Sequence, residues 1–338
     1  MLSSSPIFLD AETDGLKPSK VWVVVTMQDD VLQEHYDSAS LQAALEGDGY
    51  IVGHNLLGYD IPVLERLWGI EIDKDRVKDT LVMSRLANPQ LDGGHSLRAW
   101  GERLQFPKGD HSDWSCLSQE MIDYCKRDVE VTAELYKKLE WDLRNFSNES
   151  VKLEHRVQDI TQQQVRNGWL LDSRKAAELV ATLREKLNNL EDSVQRTFRP
   201  LPTFVKEIKP KVKKDGAISV VGLKFLGDSW ETVGGPFSRV DYPEFNLGSR
   251  QQIGRYLQHY GWKPCKFTDT GQAMVDEKVL EGIKDIPQAT LISEYLMVQK
   301  RIAQVQSWID AVDDDTGRVH GKVNTNGAVT GRMTHAKP

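Results

Sequence analysis

A chain of 338 residues can build two domains, each with its own core. Its 39% hydrophobic and 28% charged residues are those of a soluble globular protein. No apolar run approaches the roughly 18–20 residues of a membrane span, and Ile7-Phe8-Leu9 is too short for a signal-peptide core.

Residues 6–12 and 21–27 are short β-branched or aromatic runs bounded by Gly15, Lys17-Pro18 and Asp29-Asp30, and read as adjacent strands, the second one buried. A third strand fits Val31–Tyr36, a short helix starts at Ser40, and Tyr50–Gly53 reads as another strand. Helices fit Tyr59–Trp68, ended by Gly69, then Asp79–Leu86, Ser96–Leu104 and Ser118–Leu143. This succession predicts an α/β domain with helices over a mixed sheet. Beyond Asn167-Gly168 the pattern changes. Asp172 or Ser173 caps a long helix whose Ala176, Leu179, Val180, Leu183, Leu187, Leu190 and Val194 form one apolar stripe. A second long helix fits Ala289–Val312, and the two stripes can bury each other. Between them, roughly 199–246 is rich in Pro, Gly and Lys, with period-2 segments around Ile218–Leu226.

The formal net charge of −7 is divided unevenly. Residues 1–150 hold 15 Lys/Arg against 27 Asp/Glu, a net of −12, whereas residues 151–338 hold 28 against 23, a net of +5. Two modules with different tasks are expected, 1–150 and 151–338. An acidic module can act on nucleic acid where its carboxylates hold divalent cations that face phosphate. Cys116, Cys125 and Cys265 form no CxxC pair and read as reduced cytoplasmic thiols.

Asp10 and Glu12, two apart at the end of a strand, point to one face. Asp60 opens a helix just after a strand, and Asp128 lies one helical turn beyond Tyr124. Four convergent acids repel one another unless cations sit among them, and all-oxygen ligands favour Mg²⁺ or Mn²⁺. Two such ions can clamp the attacking and leaving oxygens of an in-line displacement at phosphorus, with Tyr124 aiming the water. Each pair alone is common on solvated surfaces; the specificity lies in the combination.

The segments DAETDGL (10–16), HNLLGYD (54–60) and YCKRD (124–128) resemble the three exonuclease motifs of the proofreading domains of family A DNA polymerases, within the DnaQ-like, ribonuclease-H-like group. The resemblance implies a 3′→5′ exonuclease with two Mg²⁺ (or Mn²⁺) held by Asp10, Glu12, Asp60 and Asp128, and with Tyr124 orienting the water. It further implies that Thr13, Leu16, Asn55 and Tyr59 meet the substrate strand. SLRAWGERL (96–104), residues 247–272, ISEYLMVQKRIAQ (292–304) and residues 320–336 resemble the replicative polymerases of short-tailed phages, so 172–312 is expected to contain a thumb that grips primer–template duplex. Thr330-Gly331-Arg332 matches the strand that contacts that duplex.

The sequence ends at Pro338, before the family's palm and fingers, so the resemblance implies a separate chain supplying both, or a truncated product. The stretch 199–246, with Lys206, Lys209, Lys211, Lys213 and Lys214 among Phe204, Val205, Ile208 and Val212, matches in position an insertion that binds host thioredoxin. It is expected either to hold such a processivity factor or to attract DNA phosphates; a solvated loop is the plainer alternative. His54 is expected to hydrogen-bond beside the site. Two other functions stay open: a subunit that chiefly binds DNA and assembles with a polymerising chain, and a stand-alone exonuclease of the ribonuclease D type. The expected location is the cytoplasm, the host's where a phage encodes the chain.

Overall fold

The computed structural model describes residues 5–337; Pro338 lies outside them. Contacts divide the chain into two compact units, one formed by residues up to 171 together with those from 311 onward, the other by residues 172–310.

The first unit opens with β1 (Ile7–Thr13), β2 (Val21–Gln28), β3 (Val31–His35), α1 (Ser38–Ala44), β4 (Ile51–Gly53), α2 (Asp60–Trp68), β5 (Val77–Asp79) and α3 (Thr80–Ala87). It continues with α4 (Leu97–Arg103), α5 (Gln119–Asp142), α6 (Asn148–Asn167) and β6 (Trp169–Leu170). Five strands form a mixed sheet in the order β3-β2-β1-β4-β5, antiparallel across β1, β2 and β3 and parallel from β1 through β4 to β5. A mixed sheet with helices over it is the α/β arrangement that the succession of elements predicts. Helices cover both faces, which is why β2 reads as a continuous apolar run. Ile7, Leu9 and Ala11 of β1 join one core cluster with Ile61 and Leu64 of α2; Phe8 joins the other, with Val129 and Leu135 of α5. Pleat alternation puts Asp10 and Glu12 on the Phe8 face, under α5.

In the second unit, Asp172 caps α7 (Ser173–Thr197) by accepting from the Lys175 N–H. There follow β7 (Thr203–Ile208), β8 (Phe237–Asp241), α8 (Arg250–His259), α9 (Glu277–Gly282) and α10 (Pro287–Asp310). Helices α7 and α10 pack side by side, linked by a 2.7 Å Lys186–Glu294 ion pair. Their core gathers Val194, Phe198, Phe245, Ile253, Leu257 and Ile292, with the Phe198 and Phe245 rings stacked 4.7 Å apart. The lysine-rich stretch is an antiparallel hairpin of β7 and β8. Strand structure expected around Ile218–Leu226 is absent there. Residues 220–222 and 224–232 form 3-10 turns, Gly227 sits at φ 54°, and only Ile218 makes an isolated bridge, to Val212.

The chain then returns to the first unit as β9 (Val312–Asp313), β10 (Arg318–Val319), β11 (Lys322–Asn324) and β12 (Thr334–Lys337). β6, β10 and β9 form a small sheet, and β11 pairs with β12. Helix α6 gave no apolar stripe in the sequence because its buried face is largely polar: Val151, His155, Gln158 and Thr161. Gln158 accepts a 3.0 Å bond from the buried Thr325 hydroxyl, and Glu154 accepts a 2.7 Å bond from the Asn326 amide. The 150/151 division suggested by charge falls inside α6. Among the described residues, no helix is long and apolar enough to cross a membrane.

Candidate active site

Three local devices deliver the four acids to one cleft. Asp10 and Glu12 ride on β1. β4 is short, and the turn after it carries Asn55 at φ 65° before α2 begins with Asp60, whose Oδ1 accepts the Ala11 N–H of β1 at 3.2 Å. Ser118 caps α5 by accepting from the Met121 N–H, and α5 brings Tyr124, Cys125 and Asp128 over the sheet. The resulting cleft of about 570 Å³ is lined by Asp10, Glu12, Asp60 and Asp128, with Asn55, Tyr59 and Tyr124 among its walls. Ligand atoms of Asp10, Glu12 and Cys125 lie within 4.8 Å of one another.

Crowding and burial make these acids hard to ionise together. Burial, then the Asp128 charge, pushes Asp10 up to about 7. Burial, then Asp10, Asp128 and Asp60, pushes Glu12 up to about 10. Burial and Asp10 raise Asp60 well above the usual carboxylate range. Asp128 is raised by burial, opposed by Lys108. The donor set suits a hard divalent cation, for two reasons: every carboxylate oxygen there is a hard ligand, and Asp128 Oδ1 is buried without a hydrogen-bond partner.

The remaining expected residues are distributed as follows. Tyr59 donates to the Gly15 carbonyl at 2.6 Å and its phenol lies 2.6 Å from the Thr13 hydroxyl, so it ties the 13–16 turn to the cleft. Leu16, on that turn, is 93% exposed. His54 donates from Nδ1 to Thr80, and burial lowers its pKa to about 3, which keeps it neutral. Thr330, Gly331 and Arg332 occupy the exposed turn between β11 and β12 and do not line the cleft. Lys206, Lys209, Lys211, Lys213 and Lys214 are exposed on or beside the β7–β8 hairpin of the other unit.

Sequence reasoning missed two residues that organise the cleft. Asp79, fully buried, accepts the N–H groups of Asn55 (2.9 Å), Leu57 (3.0 Å) and Leu81 (2.9 Å), so one carboxylate caps α3 and clamps the turn bearing Asn55. Its own N–H donates to Nε2 of His155, whose Nδ1 donates to the Val151 carbonyl. A strand-end Asp before a helix is an N-cap signal; its second task depends on a tertiary contact 22–24 residues away. Lys108, in Pro107-Lys108-Gly109, reads as a solvated turn lysine, yet its Nζ lies 2.6 Å from Asp128 Oδ2.

Comparison with known proteins adds a lineage. Residues 233–338 match the sequence profile of DNA polymerase family A. Over 88% of its length the chain is 34% identical to the DNA-directed DNA polymerase of Enterobacteria phage T3, and 33% identical to that of Escherichia phage T7. Each match takes in 56% of the relative. The whole chain is 25% identical to 54% of the DNA polymerase I of Aquifex aeolicus. In fold, all of it is similar to 52% of a solved chain, the POL domain of Pol1 from M. smegmatis in complex with DNA primer-template and dNTP, with a TM-score of 0.64 at 15% identity. The chain thus spans about half the length of the curated relatives it matches.

Proposed function

Because this chain is related to the family A DNA polymerases, the T3 and T7 phage enzymes among them, we propose that it is a metal-dependent 3′→5′ exonuclease acting on DNA ends during replication. The observation that carries the reading is the cleft itself, where four carboxylates converge and a buried Asp128 oxygen is left without a hydrogen-bond partner.

In this reading Asp10, Glu12, Asp60 and Asp128 hold two Mg²⁺ or Mn²⁺ ions. When bound, such ions supply charge stabilisation for in-line displacement at the 3′-terminal phosphodiester. Tyr124 orients the attacking water, and its pKa is raised by burial, which keeps the phenol a hydrogen-bond donor. Asn55 and Tyr59 steady the terminal nucleotide from the cleft wall, while Thr13 and Leu16 meet it from the neighbouring turn. Residues 172–312 are read as containing a thumb toward primer–template duplex, and Thr330, Gly331 and Arg332, in the other unit, as a duplex contact of their own.

The test is release of mononucleotides from the 3′ end of a labelled single-stranded oligonucleotide with Mg²⁺ or Mn²⁺. The double variant Asp10→Ala/Glu12→Ala is expected to lose roughly 10³-fold or more of this activity, as removal of preorganised charge stabilisation commonly does. Undiminished activity in that variant rejects the assignment, and a clear preference for RNA would redirect it toward ribonuclease-D-like chemistry.

A second reading, in which the chain chiefly grips duplex DNA, is favoured by the profile match over 233–338, outside the four carboxylates. Duplex binding in chelator that matches binding in Mg²⁺, with no measurable nuclease, would favour it over the first.

A further inference from the structure

Among the described residues, Lys108 is the cation that makes an ion pair with the acid cluster. Its side chain is only 13% exposed and that of Asp128 only 6%, so the pair is withdrawn from water and is not a screened surface contact. The loop that carries it is anchored on both sides. Phe106 donates its N–H to the Gly101 carbonyl of α4 at 2.9 Å. Gly101 lies so close to this loop that a Cβ there would meet the Phe106 carbonyl at 3.0 Å and the Lys108 nitrogen at 3.1 Å. On the other side, Arg127 of α5 donates to the Pro107 carbonyl at 2.9 Å and stacks on the Phe106 ring. A solvated turn lysine needs none of this support.

The ammonium engages one oxygen of Asp128, Oδ2, and leaves Oδ1 unpartnered. It also lies 4.6 Å from the centroid of the Tyr124 ring. A Cβ at Gly109, the next residue, would meet the Tyr124 ring at 3.4 Å, an ordinary van der Waals contact, so the loop runs alongside that ring. We propose that Lys108 is a positioning residue of the exonuclease site: it bridges Asp128 and Tyr124, so that Asp128 turns Oδ1 toward a divalent cation while the phenol keeps the orientation that aims the water. This inference rests on the exonuclease reading above. Lys108 also offsets part of the repulsion among the acids, but a role limited to charge compensation has a different signature, which separates the two.

The variants are Lys108→Met, which keeps the stem and removes the charge, and Lys108→Arg, which keeps charge and donors. Mononucleotide release from a single-stranded DNA oligonucleotide is followed at saturating Mn²⁺. Lys108→Met is expected to lower kcat by about 10- to 100-fold, the usual cost of removing a partner that orients a metal ligand, with KM for the oligonucleotide within about twofold. Lys108→Arg is expected to recover at least half of the lost activity on a logarithmic scale. Three outcomes overturn the proposal: an unchanged kcat with tighter Mn²⁺ binding, which means charge compensation only; a raised KM at unchanged kcat, which means direct contact with the substrate; and no recovery by arginine. An inactive wild-type chain would instead defeat the exonuclease reading itself, and wild type with Asp10→Ala/Glu12→Ala is therefore run alongside.

Discussion

In residues 172–310 the buried side chains are apolar, whereas every buried polar or charged side chain among the described residues belongs to the other unit, including Glu12, Asp60, Asp79, Asp128, His155 and Gln158. Both units have cores, so the contrast is not one of packing. Burying a polar group is costly unless it is hydrogen-bonded, and the first unit meets most of that cost with partners: three N–H groups on Asp79, Asp79's N–H on His155, Thr325 on Gln158. Buried atoms of His35, Arg76 and Arg103 also lack partners, but among the four acids like charges add to the cost. Asp128 Oδ1 has no hydrogen-bond partner, and burial together with mutual repulsion raises Asp10, Glu12 and Asp60. A cluster in which buried like charges repel one another costs stability, and such local conflicts are expected at functional sites.

The largest effect that could break this contrast comes from Asp60→Asn. The amide can still accept the Ala11 N–H but no longer carries the charge. Nuclease activity is expected to fall by roughly 10²–10³-fold. In chelator, the same variant is expected to unfold at a higher temperature than wild type, because one repelling carboxylate has gone. A substitution that lowers activity and raises metal-free stability is the signature of a functional cluster; lower stability without loss of activity would make Asp60 an ordinary core residue.

Next is Phe198→Ala in the second unit. Its ring is fully buried against Phe245, Tyr256 and Tyr260, and its removal is expected to cost about 3–5 kcal/mol. Hydrolysis of a short single-stranded oligonucleotide is expected to stay within twofold of wild type below the melting temperature, since all four acids belong to the first unit. Chemical unfolding and the nuclease assay on one preparation decide it.

What the sequence discloses follows the same division. The helices α7 and α10 were legible because their buried faces are apolar at 3–4 spacing, and β1 and β2 because β-branched runs stand between turn signals. Helix α6 was not, since His155, Gln158 and Thr161 occupy its buried face; Asp79 and Thr325 partner His155 and Gln158 from across the fold, while Thr161 donates to the Gln158 carbonyl within the helix. The acids Asp10, Glu12, Asp60 and Asp128 were legible through motif spacing. Asp79 and Lys108 were not, because each acts across the fold, through Asn55 and Asp128, and neither stands in a motif. The segment 218–226 misled in the opposite direction: its period-2 pattern lies mostly in 3-10 turns, with Leu223 buried, and among the described residues it joins no named strand.

Metal binding gives a smaller effect with a defined pH dependence. Asp10 and Glu12 hold protons in the folded chain, up to about pH 7 and about pH 10, that the unfolded chain has released from about pH 4 upward. The folded state binds more protons in that window, so metal-free stability falls as pH rises through it. Divalent cations replace those protons and remove the decline. At 100 times its dissociation constant Mg²⁺ or Mn²⁺ is expected to stabilise by about 2.7 kcal/mol, and at one fixed ion concentration the increment is larger at pH 9 than at pH 6, because proton competition weakens binding at the lower pH. An increment independent of pH would show that the ions bind somewhere other than the acids.

The smallest effect on stability belongs to the hairpin lysines. Lys211 and Lys213 are exposed beside the β7–β8 hairpin, and among the described residues no hydrogen bond holds either side chain. The double variant Lys211→Glu/Lys213→Glu is expected to change the unfolding free energy by no more than about 0.5 kcal/mol per site, which distinguishes it from any substitution among the acids. Its effect should lie in binding. If these lysines meet phosphates, affinity for primer–template duplex falls and the slope of log affinity against log salt drops by about 1 for each lost contact. An unchanged slope with unchanged stability would return the hairpin to the class of solvated loops, and the second unit's charge would then have to reach DNA elsewhere.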